Sequence, residues 1–234
     1  MIALSGGLSI AFMCGGLALD RKQIELINRC MGRDPGLDQI VESMEAAEKQ
    51  TSAEFVVALE PQSGPYRDID VTFAAGSNFL FLLLAIFAPV TIDQQWFPLY
   101  QVILFGLAWA FSAHTSYVRR VFCSGERFER QAIEKAWLLF HDQGVSQTRG
   151  RTGIMVLVSQ LEKKVVVAAD SGVMRAVEAD AWKAVTAKTQ MTYDGEDLSA
   201  TAAKAVQELG DFLTESLPVS EDDIDELSNV PTLH

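Results

Sequence analysis

The feature that most constrains this chain is a 48-residue stretch, 71–118, whose only formal charge is Asp93. Two apolar runs lie inside it. The first, 71–92, contains Phe79-Leu80-Phe81-Leu82-Leu83-Leu84-Ala85-Ile86-Phe87. The second, 98–114, contains Val102-Ile103-Leu104-Phe105-Gly106-Leu107-Ala108-Trp109-Ala110-Phe111. A helix gains about 1.5 Å per residue, so ~20 largely apolar residues cross a hydrocarbon layer of about 30 Å. Both runs meet that length, the second more narrowly. Trp96 and Tyr100 flank the short connection, where amphipathic rings favour a water–lipid boundary. A pair of buried core helices is the competing reading, but such helices carry a polar stripe. The expectation is a two-helix transmembrane hairpin.

Basic residues beside the spans set the expected orientation. The connection around Asp93-Gln94-Gln95-Trp96-Phe97 has none, whereas the outer flanks carry Arg67, Arg119, Arg120, Arg127 and Arg130. Both flanks are therefore expected in the cytoplasm, and the protein in the inner or plasma membrane. Cys14, Cys30 and Cys123 match no zinc or redox spacing and suit a reducing compartment. Residues 1–19 are apolar and uncharged, without the basic start of a secretory signal, and two Gly-Gly pairs work against a helix. Residues 1–19 read as membrane-associated, and the apolar N-terminal segment 1–33 is left without an assigned role.

The remainder is a soluble domain that the hairpin divides. Asp34-Pro35 suits the start of a helix, and Leu37, Ile40, Val41, Met44 and Ala47 recur at helical spacing to about Gln50. Ala53-Glu54-Phe55-Val56-Val57-Ala58-Leu59 reads as a strand whose partners must lie beyond the insert, because a lone strand leaves its backbone unpaired. Those partners are Gly153-Ile154-Met155-Val156-Leu157-Val158-Ser159 and Lys163-Lys164-Val165-Val166-Val167-Ala168-Ala169, a β-hairpin buried on both faces. One helix precedes them, marked by Phe128, Ala132, Ile133, Ala136, Trp137 and Phe140. Another follows, marked by Val173, Val177, Trp182 and Val185, and a last runs from about Leu198 to Phe212. The tail 218–234, with Glu221, Asp222, Asp223, Asp225 and Glu226, is expected to be disordered.

Charge and motifs exclude several activities. Nineteen basic against 31 acidic residues, a net charge of −12, argues against nucleic acid as a partner. Asp68-Ile69-Asp70-Val71-Thr72 matches the short signature of haloacid-dehalogenase-type phosphatases. That chemistry needs the motif at the end of a buried parallel strand, and here it runs into the apolar stretch. His114, His141 and His234 lack metal-ligand spacing. Asp194-Gly195-Glu196-Asp197 lacks the spacing of a calcium loop and reads as a solvated turn. Thr148-Arg149-Gly150-Arg151-Thr152-Gly153 could hold an anion, although a tight connection is the commoner meaning of such a loop. Asp170-Ser171-Gly172 closes the next strand.

The succession of a helix, Thr51-Ser52-Ala53-Glu54-Phe55-Val56-Val57, the loop Thr148–Gly153 with Ile154, and Leu161-Glu162-Lys163-Lys164-Val165-Val166-Val167-Ala168-Ala169-Asp170-Ser171-Gly172-Val173, with Trp182 beyond, resembles the TPM domain family. That family is named for thylakoid-lumen, photosystem-repair and levamisole-receptor-modulator proteins, and this chain is similar to its bacterial membrane-anchored branch. The likeness covers 37–59 and 128–217; Ala53 stands where the family usually has Gly. It implies an α/β fold, an α/β/α sandwich around a small mixed sheet, here interrupted by the transmembrane hairpin. Some relatives are described as acid phosphatases, some bind calcium, and others assist membrane-complex repair or receptor assembly. Glu54, Arg151 and Asp170 are the positions carried over as candidate catalytic residues, Glu54 and Asp170 also as candidate metal ligands, with calcium the cofactor the likeness allows.

The resulting expectation is a TPM-like domain built from 34–70 and 119–217, with the hairpin at 71–118. It acts without catalysis, as an interaction or assembly module with membrane lipid and a membrane protein as partners. A metal-dependent acid phosphatase and a calcium-binding adaptor are the alternatives.

Overall fold

The computed structural model describes residues 35–87, 95–191, 193, 197–219, 227 and 231–233. Segment 1–33 and the Asp194-Gly195-Glu196 turn lie outside the described residues, as do His234 and Asp93. The described chain forms two compact units, one from 35–63 with 131–233 and the other from 64–130. The second unit takes in 64–70 and 119–130 beside the nearly uncharged stretch.

The first unit is an α/β sandwich. Its elements are α1 (Pro35–Glu48), β1 (Glu54–Glu60), β2 (Gly153–Ser159), β3 (Lys164–Ala169) and, at the end, β4 (Thr232–Leu233). Helices α6 (Ser171–Ala176), α7 (Ala179–Met191) and α8 (Leu198–Leu213) follow β3, and α5 (Gly125–Asp142) precedes β2. The sheet order is β3-β2-β1-β4. β1 runs parallel to β2 and to β4, and β2 antiparallel to β3. All seven residues of both β1 and β2 are buried.

Strand alternation divides the apolar residues between two faces. Val56, Ala58, Met155, Leu157, Val166 and Ala168 meet Ala132, Ala136, Leu139 and Phe140 of α5. Ala132 and Ala136, one turn apart, are fully buried against the sheet. Phe55, Val57, Leu59, Ile154, Val156 and Val158 face the other way, onto Ile40 and Met44 of α1 and Ala205, Leu209 and Leu213 of α8. Burying a Leu or Phe side chain in this way contributes about 1.5–3 kcal/mol. Gly210 lets α1 and α8 touch, because a Cβ there would stand 2.7 Å from the Cβ of Ala47.

Two elements depart from expectation. The helix anticipated across 173–185 is two helices, since Val177 is extended (φ −113°, ψ 141°) and buries its side chain between them. The tail is not wholly outside the fold. Thr232–Leu233 pairs with Ala58 and Leu59, Pro231 is buried, and Leu227 packs on the α5 face. The outer edge of β1 offers backbone groups that two tail residues can pair.

The second unit contains α2 (Arg67–Phe87), α3 (Phe97–His114) and α4 (Ser116–Phe122). α2 and α3 form an antiparallel hairpin, with Phe73 meeting Phe111 near one end and Phe81 meeting Phe97 near the other. Both helices are long and apolar enough to cross a membrane. Most of their large apolar side chains are exposed, among them Phe87 at 80% and Val102 at 70%.

Candidate functional site

Glu54, Arg151 and Asp170 come to one end of the sheet, gathered around the backbone of Gly153. Glu54 opens β1 and is the register partner of Gly153. Asp170 follows β3, and its N–H donates to the Gly153 carbonyl at 3.0 Å. Arg151 lies two residues before β2 in the left-handed region (φ 55°). A turn places it there: the Arg151 N–H donates to the Thr148 carbonyl at 3.1 Å, and the Thr152 N–H to Thr148 Oγ1 at 3.1 Å.

The glycines of the two motifs are required by close approach. A Cβ on Gly172 would lie 2.3 Å from the Arg151 carbonyl oxygen and 2.4 Å from that of Gly150. The Gly172 N–H donates to that same Arg151 oxygen at 2.8 Å. A Cβ on Gly153 would lie 2.3 Å from the Val145 carbonyl oxygen. Loop 148–153 and turn 170–172 therefore interlock through backbone, with no room for a side chain at either glycine.

The charged side chains are less tightly joined. Asp170 is buried and caps α6, its Oδ1 accepting from the Ser171 N–H at 2.6 Å. The Arg151 Nη1 stands 3.9 Å from that oxygen, and the arginine is 57% exposed. A contact of that length at an exposed arginine contributes well under about 1 kcal/mol. Asp170 Oδ2 is buried without a hydrogen-bond partner. Glu54 is buried on the α5 face by strand alternation, and Val145 packs over its register partner Gly153. The structure thus joins Arg151 to Asp170 and leaves Glu54 one strand further along the same edge.

Calcium takes six to eight oxygen ligands. Among the described residues no group of three or more His, Cys, Asp or Glu side chains could hold a metal ion. Glu54 and Asp170 belong to no such group among the described residues. Asp197, at the end of the acidic turn, caps α8 by accepting from the Ser199 and Ala200 N–H groups.

The aspartates of the phosphatase-like pentad open a helix instead of ending a strand, and each already holds an arginine. Asp68 takes Arg127 through two bonds, Nη1 to Oδ2 at 2.7 Å and Nη2 to Oδ1 at 2.9 Å. These bonds push the Arg127 guanidinium above its ordinary range. The guanidinium also lies 5.6 Å from the centre of the Tyr66 ring. Asp70, buried, accepts from Ser112 Oγ at 2.7 Å and from Arg119 Nη2 at 2.7 Å and Nε at 3.2 Å. In the sequence these arginines read only as markers of orientation. The usable signal was two carboxylates next to an apolar stretch that returns to a cluster of arginines.

No family model and no curated protein matches the chain. A solved structure does. The NMR structure of the BA42 protein from the psychrophilic bacterium Bizionia argentinensis aligns with 86% of this chain and 93% of its own, with 18% identity and a TM-score of 0.51. At that identity the likeness is one of fold.

Proposed function

We propose that this chain is a membrane-anchored α/β module of the TPM type, held at the cytoplasmic face by the α2–α3 hairpin and acting through a membrane-protein partner instead of by catalysis. The observation that carries the reading is the hairpin's surface. Helices of a soluble core bury their apolar residues, whereas Phe79, Leu84, Ile86, Val102, Leu107 and Phe111 are each more than half exposed. Lipid is the solvent that makes such a surface stable. The TPM assignment draws on the fold likeness and on the order of the 51–57, 148–154 and 161–173 motifs. Five arginines flanking the hairpin against none in its connection favour the cytoplasmic side, although Arg119 and Arg127 also serve Asp70 and Asp68.

The non-catalytic part of the reading is supported by what the motif residues do. Gly153 and Gly172 close a backbone interlock, Asp170 caps a helix, and Arg151 extends into solvent. Purification in detergent followed by a phosphomonoester assay tests it. The expected turnover equals that of a variant with alanine at Glu54, Arg151 and Asp170. Turnover well above that variant would establish the phosphatase in its place. A reporter fused after Leu217 is expected to read out in the cytoplasm, and a signal from the opposite side would reverse the orientation.

A further inference from the structure

One face of α2 borders an open groove of about 580 Å³, within the range of small-molecule sites. Ile69, Thr72, Phe73, Gly76, Ser77 and Leu80 recur at helical spacing along its wall, facing Phe122 of α4, and the Asp68–Arg127 pair stands at its mouth. The two hydroxyls of the wall are turned back into the helix. Thr72 Oγ1 donates to the Asp68 carbonyl at 2.7 Å and Ser77 Oγ to the Phe73 carbonyl at 2.8 Å, so the wall presents carbon. At Gly76 a Cβ would meet nothing within 4 Å, which makes a notch midway along. From Ile69 to Leu80 the helix advances about 16 Å, close to half of a ~30 Å hydrocarbon layer. That is the depth of one leaflet, with charges at one end only.

We propose that this groove is a phospholipid site: one acyl chain lies along Phe73, Gly76 and Leu80, and a zwitterionic headgroup bearing a primary ammonium sits on the Asp68–Arg127 pair. The inference rests on the membrane reading above. Charge complementarity selects the headgroup. Beyond those given to Asp68 and to the Pro65 carbonyl, the Arg127 guanidinium retains N–H donors, and a phosphate accepts from them. The Asp68 carboxylate is 59% exposed and disfavours a purely anionic headgroup beside it. A primary ammonium donates to that carboxylate, whereas a quaternary ammonium has no N–H to give. Phosphatidylethanolamine carries this pair of groups.

The full chain, purified in detergent and stripped of lipid, is titrated with phosphatidylethanolamine, phosphatidylcholine and phosphatidylglycerol of identical acyl chains, with occupancy read by native mass spectrometry. The ethanolamine lipid is expected to lead by about three- to fivefold, the reach of one exposed charged contact. Asp68→Asn should bring it level with the choline lipid. Gly76→Phe, which projects a ring into the notch from a Cβ that meets no protein atom within 4 Å, should lower occupancy by every lipid. Equal binding of the ethanolamine and choline lipids to the unaltered chain, or full occupancy in Gly76→Phe, overturns the site. A dimer that Gly76→Phe abolishes while lipid stays absent overturns it in favour of a second copy. Alkaline carbonate extraction of the unaltered chain separates the two readings. Release from membranes defeats the membrane reading itself, while retention without headgroup preference defeats the lipid site alone.

Discussion

Helices α8 and α2 are both rich in apolar residues and treat them in opposite ways. In α8, Ala202, Ala205, Val206, Leu209 and Leu213 fall on one stripe and are buried, with Lys204, Glu208 and Asp211 on other faces. In α2 no charge follows Asp70, and Phe79, Leu80, Leu84, Ile86 and Phe87 are all more than half exposed. Periodicity, and not hydropathy, is what distinguishes a helix solvated by protein from one solvated by something else. The same contrast runs through the glycines. Gly153, Gly172 and Gly210 of the α/β unit sit against backbone or a neighbouring helix, and Gly76 and Gly106 of the hairpin face open space.

The sharpest way to break the comparison is Gly172→Ala. Its new methyl meets two carbonyl oxygens of the 148–153 loop, and neither can retreat without opening the interlock. A loss above about 4 kcal/mol is expected, enough to prevent folding of the α/β unit. Expression as a stable, protease-resistant species would show that the loop yields easily. Next in size is Leu209→Ala, a truncation of a fully buried side chain, expected to cost about 3 kcal/mol in denaturant titration in detergent. Leu84→Ala, at a position 57% exposed, should cost less than about 0.5 kcal/mol in the same titration. Similar losses at the two sites would mean that the hairpin packs into a protein core after all.

Arg119→Met tests a place where the hairpin resembles the α/β core. Asp70 is 2% exposed and its hydrogen bonds come from Arg119 and Ser112, so removing the guanidinium strands a buried carboxylate. A loss of about 2–3 kcal/mol is expected. Asp70→Asn in the same background should recover part of it, because the neutral amide needs no counter-charge. If recovery fails, the arginine acts through packing of its stem and not through the ion pair.

Much of this architecture was legible from β-branched runs and helical spacing. Strands 153–159 and 163–169 and the helix ending at Phe212 fall within a residue or two of their observed bounds, because burial on both faces leaves a continuous apolar signature. The break at Val177 was hidden because Val173, Val177 and Val185 keep a helical spacing across it. Strand β4 was hidden because two residues make no pattern, and its partners lie in β1, far away in sequence. At the candidate site, the motif 148–153 was visible as a motif, but its function as a backbone interlock is a three-dimensional clash that no spacing encodes. The Asp68–Arg127 and Asp70–Arg119 pairs join residues 59 and 49 positions apart, beyond the reach of any local rule.

The smallest expected effect is the most telling about the hairpin's surroundings. Gly106 lies within α3, and a Cβ there would touch nothing within 4 Å. Alanine in an exposed helix interior is favoured over glycine by about 0.8–1 kcal/mol. Gly106→Ala should therefore leave the denaturation midpoint in detergent unchanged or raise it slightly. If the position instead meets a partner helix, small residues are what permit that approach. The added methyl would then leave the isolated chain's stability intact and weaken only its co-purification with that partner. A fall in the stability of the isolated chain would place Gly106 against this protein's own atoms, and the contrast between its two helix classes would no longer hold.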